Sequence, residues 1–305
     1  RIDMATPVKK SPRKEFQIEK PAIGKGSYGK VYKATWTRHN TEKSVAVKIF
    51  PLDVSHSRSA FEAESRMSVL LNGNPFCVTI HKAYISNNKG YIVMDLFSGD
   101  LMDIQDSLEY NESKSCKLFY KICNAVRLLH AKRVVHLDIK PDNILVDDDG
   151  EPFLADFGSS NVIPLGGRYT KPVGTDEFAA PEVLSGEAYS PFPADLWSLG
   201  VLLYTMLTGK YPRIKKGEYR TNSKLSDECN SVLSSLLQPN PKLRIDIRRL
   251  LKHEWFDING CVPPIDLNDM PKALKPSRKS PKSPRALLAR LKGPSKTAVQ
   301  PPTED

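Results

Sequence analysis

Gly24-Lys25-Gly26-Ser27-Tyr28-Gly29-Lys30-Val31, Val45-Ala46-Val47-Lys48, His136-Leu137-Asp138-Ile139-Lys140-Pro141-Asp142-Asn143, Asp156-Phe157-Gly158 and Ala180-Pro181-Glu182 follow one another along about 160 residues. Together they are the parts needed to hold a triphosphate and move its terminal phosphoryl group, chemistry that depends on positioning and charge more than on covalent help. Main-chain N–H groups reach phosphate oxygens only where side chains do not intervene, the use of Gly24, Gly26 and Gly29. Strand residues Val31 and Tyr32 follow these glycines where a dinucleotide-binding turn would open a helix. Lys48 lies in an apolar strand, where an unpaired ammonium is costly, so it needs an anion.

On these strings the chain resembles the eukaryotic protein kinases of the serine/threonine branch, over residues 16–258. The resemblance implies an α+β, two-lobed fold: a small β-rich lobe with one helix (16–97), a larger helical lobe (98–258), and the site in the cleft between them. It implies ATP and Mg²⁺, with protein Ser/Thr hydroxyls as acceptors. Asp138 would take or orient the acceptor's proton, Lys140 would neutralise the γ-phosphate, and Asn143 with Asp156 would hold Mg²⁺ through oxygen. Lys48 would bond the α- and β-phosphates and pair with Glu64. That glutamate has Met67, Ser68 and Leu71 on its face, whereas Glu62 lies on another. The nucleotide would lie under the Gly24–Gly29 loop, including Lys25, Ser27 and Tyr28. Ile23, Val31, Ala46, Met94 and Leu145 would line the base, the backbone of Asp95 and Leu96 would read its edge, and Asp100 would meet the ribose. Thr175 should lie near Asp138 and Lys140, Glu182 should pair with Arg244, and Asp195 should brace the catalytic loop. His136 is read as a packing residue.

One position departs from the commonest pattern. Leu137 stands where an arginine usually precedes the aspartate and receives an activation-loop phosphate, so activity independent of such a phosphate is expected. His-Leu-Asp also occurs in the Wee-type inhibitory kinases. By contrast, Asp195-Leu196-Trp197-Ser198-Leu199-Gly200-Val201, the Thr208–Pro212 turn and the ending over 236–256 resemble the calcium/calmodulin-dependent and Snf-like group, the favoured affiliation. Asp100 and Asp142 suggest basic protein substrates. A pseudokinase or scaffold is the competing class, disfavoured because Lys48, Asp138, Asn143 and Asp156 are all retained.

The elements that must position these residues follow from periodicity. Strands are expected at 31–34, 44–49 and 91–94, and helices at 58–71, 115–130, 195–207, 226–237 and 245–251. The formal charge of +10 sits at the ends: residues 1–17 carry five basic and two acidic side chains, residues 271–305 nine and two. The body is thus near neutral, which argues against a nucleic-acid-binding core. Residues 1–15 are expected to form a flexible basic arm and 259–305 a basic Ser/Pro-rich disordered tail. Within the tail, 286–292 has the pattern of two helical turns. Five cysteines without a CxxC pair fit buried thiols in a reducing compartment, and no apolar run is long enough to span a membrane. The reading is an intracellular protein, cytoplasmic, nuclear or both, whose oligomeric state the sequence leaves open.

Overall fold

The computed structural model describes residues 15–38, 41–215 and 218–261. Nearly all of the expected arm and tail, with the 286–292 pattern, lies outside them. At the margins, Glu15 already accepts a main-chain hydrogen bond from Thr37, and Cys261 donates one to Phe256, so residues 259–261 close the helical body instead of opening a tail.

The first lobe is one antiparallel sheet with a single helix. Its strands are β1 (Phe16–Ile18), β2 (Gly24–Lys25), β3 (Lys30–Arg38), β4 (Thr41–Pro51), β5 (Ile80–Ser86) and β6 (Lys89–Asp95). The order is β1-β3-β4-β6-β5, with β2 folded back on β3. Val45, Val47 and Val93 bury one face with Phe16, while Ala46, Ile92 and Met94 bury the other, the alternation a two-faced strand requires. Helix α1 (Ser55–Leu70) turns Phe61, Glu64 and Met67 inward and leaves Glu62 exposed. The short-period expectation missed β1 and β5. After Ile80, β5 carries His81 and Lys82 at half-buried positions and shifts register between Ile80 and Lys82, so its side chains do not alternate as a regular strand's would.

The second lobe is built on α2 (Glu112–Ala131) and α4 (Pro191–Thr208), with short strands β7 (Gly99–Asp100), β8 (Val134–Val135), β9 (Ile144–Val146), β10 (Pro152–Leu154) and β11 (Asn161–Val162) carrying the catalytic loops. α3 (Pro181–Leu184), β12 (Ile214–Lys215), β13 (Glu218–Tyr219), α5 (Asp227–Leu236), α6 (Ile247–Leu250) and α7 (Glu254–Ile258) complete it. One apolar cluster joins α2, α4, α5 and α7 through Phe119, Leu203, Leu233, Trp255 and Phe256. Helix boundaries shifted where polar punctuation had been passed over. The Asn111 side chain caps α2 three residues earlier than expected, and a proline opens α4. Asp246 accepts from the N–H groups of Arg248 and Arg249, so the stretch expected as one helix over 245–251 starts only at Ile247. Among the described residues, no helix is long and apolar enough to cross a membrane.

Cys77, Cys116, Cys123 and Cys229 are buried thiols and Cys261 is half-buried. They are less scattered than their spacing suggested, for the sulfurs of Cys116 and Cys261 lie 3.4 Å apart. Burial pushes all five thiols above their ordinary range.

Arg244 ties the loop between α5 and α6 to the Ala180-Pro181-Glu182 string. Its guanidinium is fully buried, donates to both oxygens of Glu182 at 2.6 and 2.9 Å, reaches the Pro193 carbonyl, and lies 5.2 Å from the Trp197 ring centre. Lysine cannot make this two-pronged bond. Arg244→Leu should cost about 3 kcal/mol by stranding Glu182, read as a lowered denaturation midpoint; an unchanged midpoint would refute the importance of the pair.

Candidate active site

The glycine-rich segment is the β2–β3 hairpin. Gly24 pairs with Val31 and Lys25 with Lys30, and the Gly26 N–H donates to the Gly29 carbonyl at 3.0 Å. Gly29 is there because of its own fold: a Cβ at that position would stand 2.4 Å from the Ile49 carbonyl oxygen. Gly26, in contrast, faces the site, its nearest side-chain neighbour being Asp156 Oδ2 at 3.8 Å from the position of such a Cβ. Lys25 and Ser27 are exposed, so the hairpin offers main chain where phosphates would come. Tyr28 reaches across the cleft, its hydroxyl 3.2 Å from Ser159 Oγ.

Lys48 extends from β4 into the interior and is 3 % exposed. Its ammonium donates to Glu64 Oε2 at 2.9 Å and lies 2.8 Å from Asp156 Oδ1. Burial alone would depress the ammonium, but the two carboxylates outweigh it and hold the group above its ordinary value. Burial raises Glu64 to about 7, against the pull of the Lys48 charge. Asp156 is also penalised by burial, yet Lys48 keeps it below its ordinary value. The Gly158 N–H holds the same Asp156 Oδ1, leaving Oδ2 directed at the glycine hairpin.

The catalytic loop hangs from Asp195, which has no exposed surface. Its two oxygens accept from the N–H groups of His136 and Leu137 at 3.0 and 2.8 Å, and His130 Nε2 lies 2.9 Å away. His136 is wholly buried, its Nε2 donating to the Ala155 carbonyl and its Nδ1 accepting from the Asp138 N–H, a structural role. Asp138 Oδ1 accepts the Thr175 hydroxyl at 2.8 Å, and Oδ2 accepts Asn143 Nδ2 at 3.0 Å. Lys140 Nζ donates to Thr175 Oγ1 at 2.8 Å and stands 3.5 Å from Asp138. Since Asn143 Nδ2 also donates to the Asp138 carbonyl, its Oδ1 is the atom left to meet a cation. Asn143 Oδ1 and Asp156 Oδ2 form an all-oxygen donor set, which suits a hard divalent ion such as Mg²⁺.

Val31, Ala46, Met94, Leu96 and Leu145 share one apolar cluster with Ala155 behind the glycine hairpin, Ala46 and Met94 being direct partners across β4 and β6. Ile23 is 55 % exposed and stands outside that cluster. Two of the expected contact residues already have partners within the fold. The Asp95 N–H donates to the Thr79 carbonyl and is engaged within the sheet, and its carboxylate turns to Lys43 and His81, both at 2.7 Å. That trio holds Asp95 well below the usual carboxylate range, the His81 bond most strongly, and was not foreseen because Lys43 and His81 belong to different strands. Asp100 caps its own turn, accepting from the Met102 N–H, and is pushed up by burial and then by the neighbouring Asp103 and Asp142 charges.

A β-sheet lobe joined to a helical lobe, with a buried lysine held between Glu64 and Asp156, is the architecture of one family. The chain belongs to the protein kinase domain family, which matches residues 17–256. Relatives include the NUAK family SNF1-like kinase 2 of Homo sapiens, 34% identical over 255 residues, covering 77% of this chain and 39% of the relative. The CBL-interacting serine/threonine-protein kinase 8 of Arabidopsis thaliana is 34% identical over 250 residues, with 77% and 56% covered. A putative CBL-interacting protein kinase 27 of Oryza sativa subsp. japonica is 32% identical over 260 residues, with 79% and 64% covered. The affiliation is therefore with the Snf-like serine/threonine kinases. The chain spans less than two thirds of the length of these relatives.

Ionised Glu64 is required to hold Lys48, so kcat/KM should fall along an acid limb centred near pH 7, and Glu64→Gln should remove that limb while lowering activity. The sign for stability is opposite. The folded protein takes up a proton at Glu64 between about 7 and the ordinary 4.5, so this group favours folding most below 4.5 and loses that contribution as pH rises through 7. A pH–rate profile with no limb near 7 would contradict the assignment.

Proposed function

We propose that this protein is an active kinase that transfers the γ-phosphoryl group of ATP to Ser/Thr hydroxyls of protein substrates, with Mg²⁺ as the resident ion. The observation that carries the reading is the convergence of Lys48, Glu64 and Asp156 opposite Asp138, Asn143, Lys140 and Thr175. Lys48, fixed by Glu64, meets the α- and β-phosphates. Asn143 and Asp156 would hold Mg²⁺, which supplies charge neutralisation to the phosphates. Asp138, fixed by Thr175 and Asn143, receives the acceptor hydroxyl and orients its oxygen for in-line attack. Lys140 offsets the charge on the transferring group. The apolar cluster at Val31, Ala46, Met94, Leu96 and Leu145 takes the adenine, and the main chain of Asp95 and Leu96 would meet its edge. Ile23 would shield the pocket mouth.

The kinase unit is proposed to span 16–258, divided at 97/98. Retention of all four chemistry-bearing side chains supports catalysis over a scaffold role, and the SNF1-like and CBL-interacting relatives support the Snf-like reading over the Wee-type one, which rests on Leu137. The negative field of Asp100, Asp103 and Asp142 supports basic residues near the acceptor.

Incubating the protein with ATP, Mg²⁺ and a peptide library should give phosphoserine and phosphothreonine, enriched in peptides with upstream Arg or Lys. Asp138→Ala should lower kcat by about 10²–10⁴-fold, with Asp156→Ala similarly inactive. Equal turnover by these variants and the parent would refute the reading, and flat upstream preference would refute the basic-substrate part alone.

A further inference from the structure

Leu137 sends an apolar side chain into the core, 7 % exposed, so it offers no cation to the segment that runs from Ile163 to Thr175. That segment must still be ordered, because Thr175 at its end fixes Asp138. A stretch of this length loses much conformational entropy on ordering, and something must offset it.

Two side chains outside the segment meet that need. Arg133, in the αL turn between α2 and β8 with φ +61°, donates from Nε to the Ile163 carbonyl at 2.7 Å and from NH2 to the Pro164 carbonyl at 2.6 Å. Its own carbonyl accepts the Ile163 N–H at 2.8 Å, and its guanidinium lies 5.5 Å from the centre of the Phe192 ring. Further along, Tyr169 and Tyr189 exchange both main-chain hydrogen bonds at 2.8 Å, an isolated antiparallel bridge. Tyr189 is 3 % exposed, packs edge-on against the Tyr169 ring, and donates its hydroxyl to the Lys171 carbonyl at 3.1 Å. Arg168 donates to the Ala188 carbonyl beside the bridge. At the far end Gly174, φ +99°, passes so close to the Leu137 carbonyl that a Cβ would stand 2.3 Å from its oxygen. The segment is thus fastened at its start, middle and end by carbonyl-directed donors and main-chain contacts that need no added phosphate.

We propose that Arg133 and Tyr189 are positioning residues that hold 163–175 in its substrate-ready course, so that the unphosphorylated chain is competent. The inference rests on the kinase reading and adds the device that takes the place of an arginine–phosphate contact. A charged donor on two carbonyls is a strong anchor, and the Tyr189 hydroxyl a moderate one. Loss of either should loosen the segment and weaken peptide use without touching the nucleotide side.

The test uses the full chain after phosphatase treatment, with intact mass establishing the absence of phosphate, and compares it with Tyr189→Phe and Arg133→Met. Trypsin cleavage after Arg168 should quicken by about fivefold in Tyr189→Phe, the effect of one lost hydrogen bond, and by more in Arg133→Met. Peptide kcat/KM should fall in the same order, while the KM for ATP stays within about twofold of the parent's. Unchanged cleavage and unchanged peptide kcat/KM in Tyr189→Phe, which preserves packing, would overturn the proposal. So would a gain of about tenfold or more in the parent on phosphorylation of Thr170. Absence of phosphoryl transfer by the parent in either state would strike the kinase reading, whereas the cleavage rates decide the anchoring role by themselves.

Discussion

One ammonium between two carboxylates organises this molecule. Lys48 belongs to β4, Glu64 to α1 and Asp156 to the turn that opens the Ile163–Thr175 region, so a single charge cluster joins three parts of the chain that share no local sequence. A lysine so deeply buried tolerates no missing partner, which makes the docking of α1 against the sheet a condition for folding the strand as well as for binding a nucleotide. The same arithmetic leaves a net negative charge, two carboxylates to one ammonium, at the place where a cation belongs if phosphates are to approach.

Two residues, one in the loop opposite this cluster and one in the cluster itself, are kept in an unfavourable backbone state by their supports. Leu137 and Asp156 both have positive φ, at 65° and 56°, without being glycine. Such conformations persist only where the surroundings over-determine them. Asp195 does so for Leu137 by gripping its N–H, and Asp156 does so for itself by accepting from Gly158. The rigidity keeps Asp138 and the buried Asn143 aimed at the site.

Much of this was legible in the order of residues. The Lys48–Glu64 and Glu182–Arg244 pairs, Thr175 beside Asp138 and Lys140, and Asp195 under the loop are each found as expected, because buried charges and polar groups must be paired. Helix existence was legible from the 3.6-residue period, and helix ends were not, because Asn111, Pro191 and Asp246 act through single polar contacts that periodicity ignores. Least legible were contacts between side chains on separate strands or on loops. The Asp95–His81–Lys43 trio, the Tyr28–Ser159 contact and the Arg133 clamp depend on register and turn geometry, which no local pattern reports. The local role of Asp100 was equally hidden: its own turn claims one carboxylate oxygen.

The distribution of sulfur has a practical use. With four thiols sealed in the interior and the fifth half-buried at the closing edge of the helical body, an alkylating fluorophore or spin label would meet Cys261 first, and slowly, since burial keeps its thiol protonated, and this site is remote in the chain from every group in the cleft. The native sequence therefore supplies its own attachment point for following how the body meets whatever follows it, with no engineered cysteine and no disturbance of the nucleotide pocket.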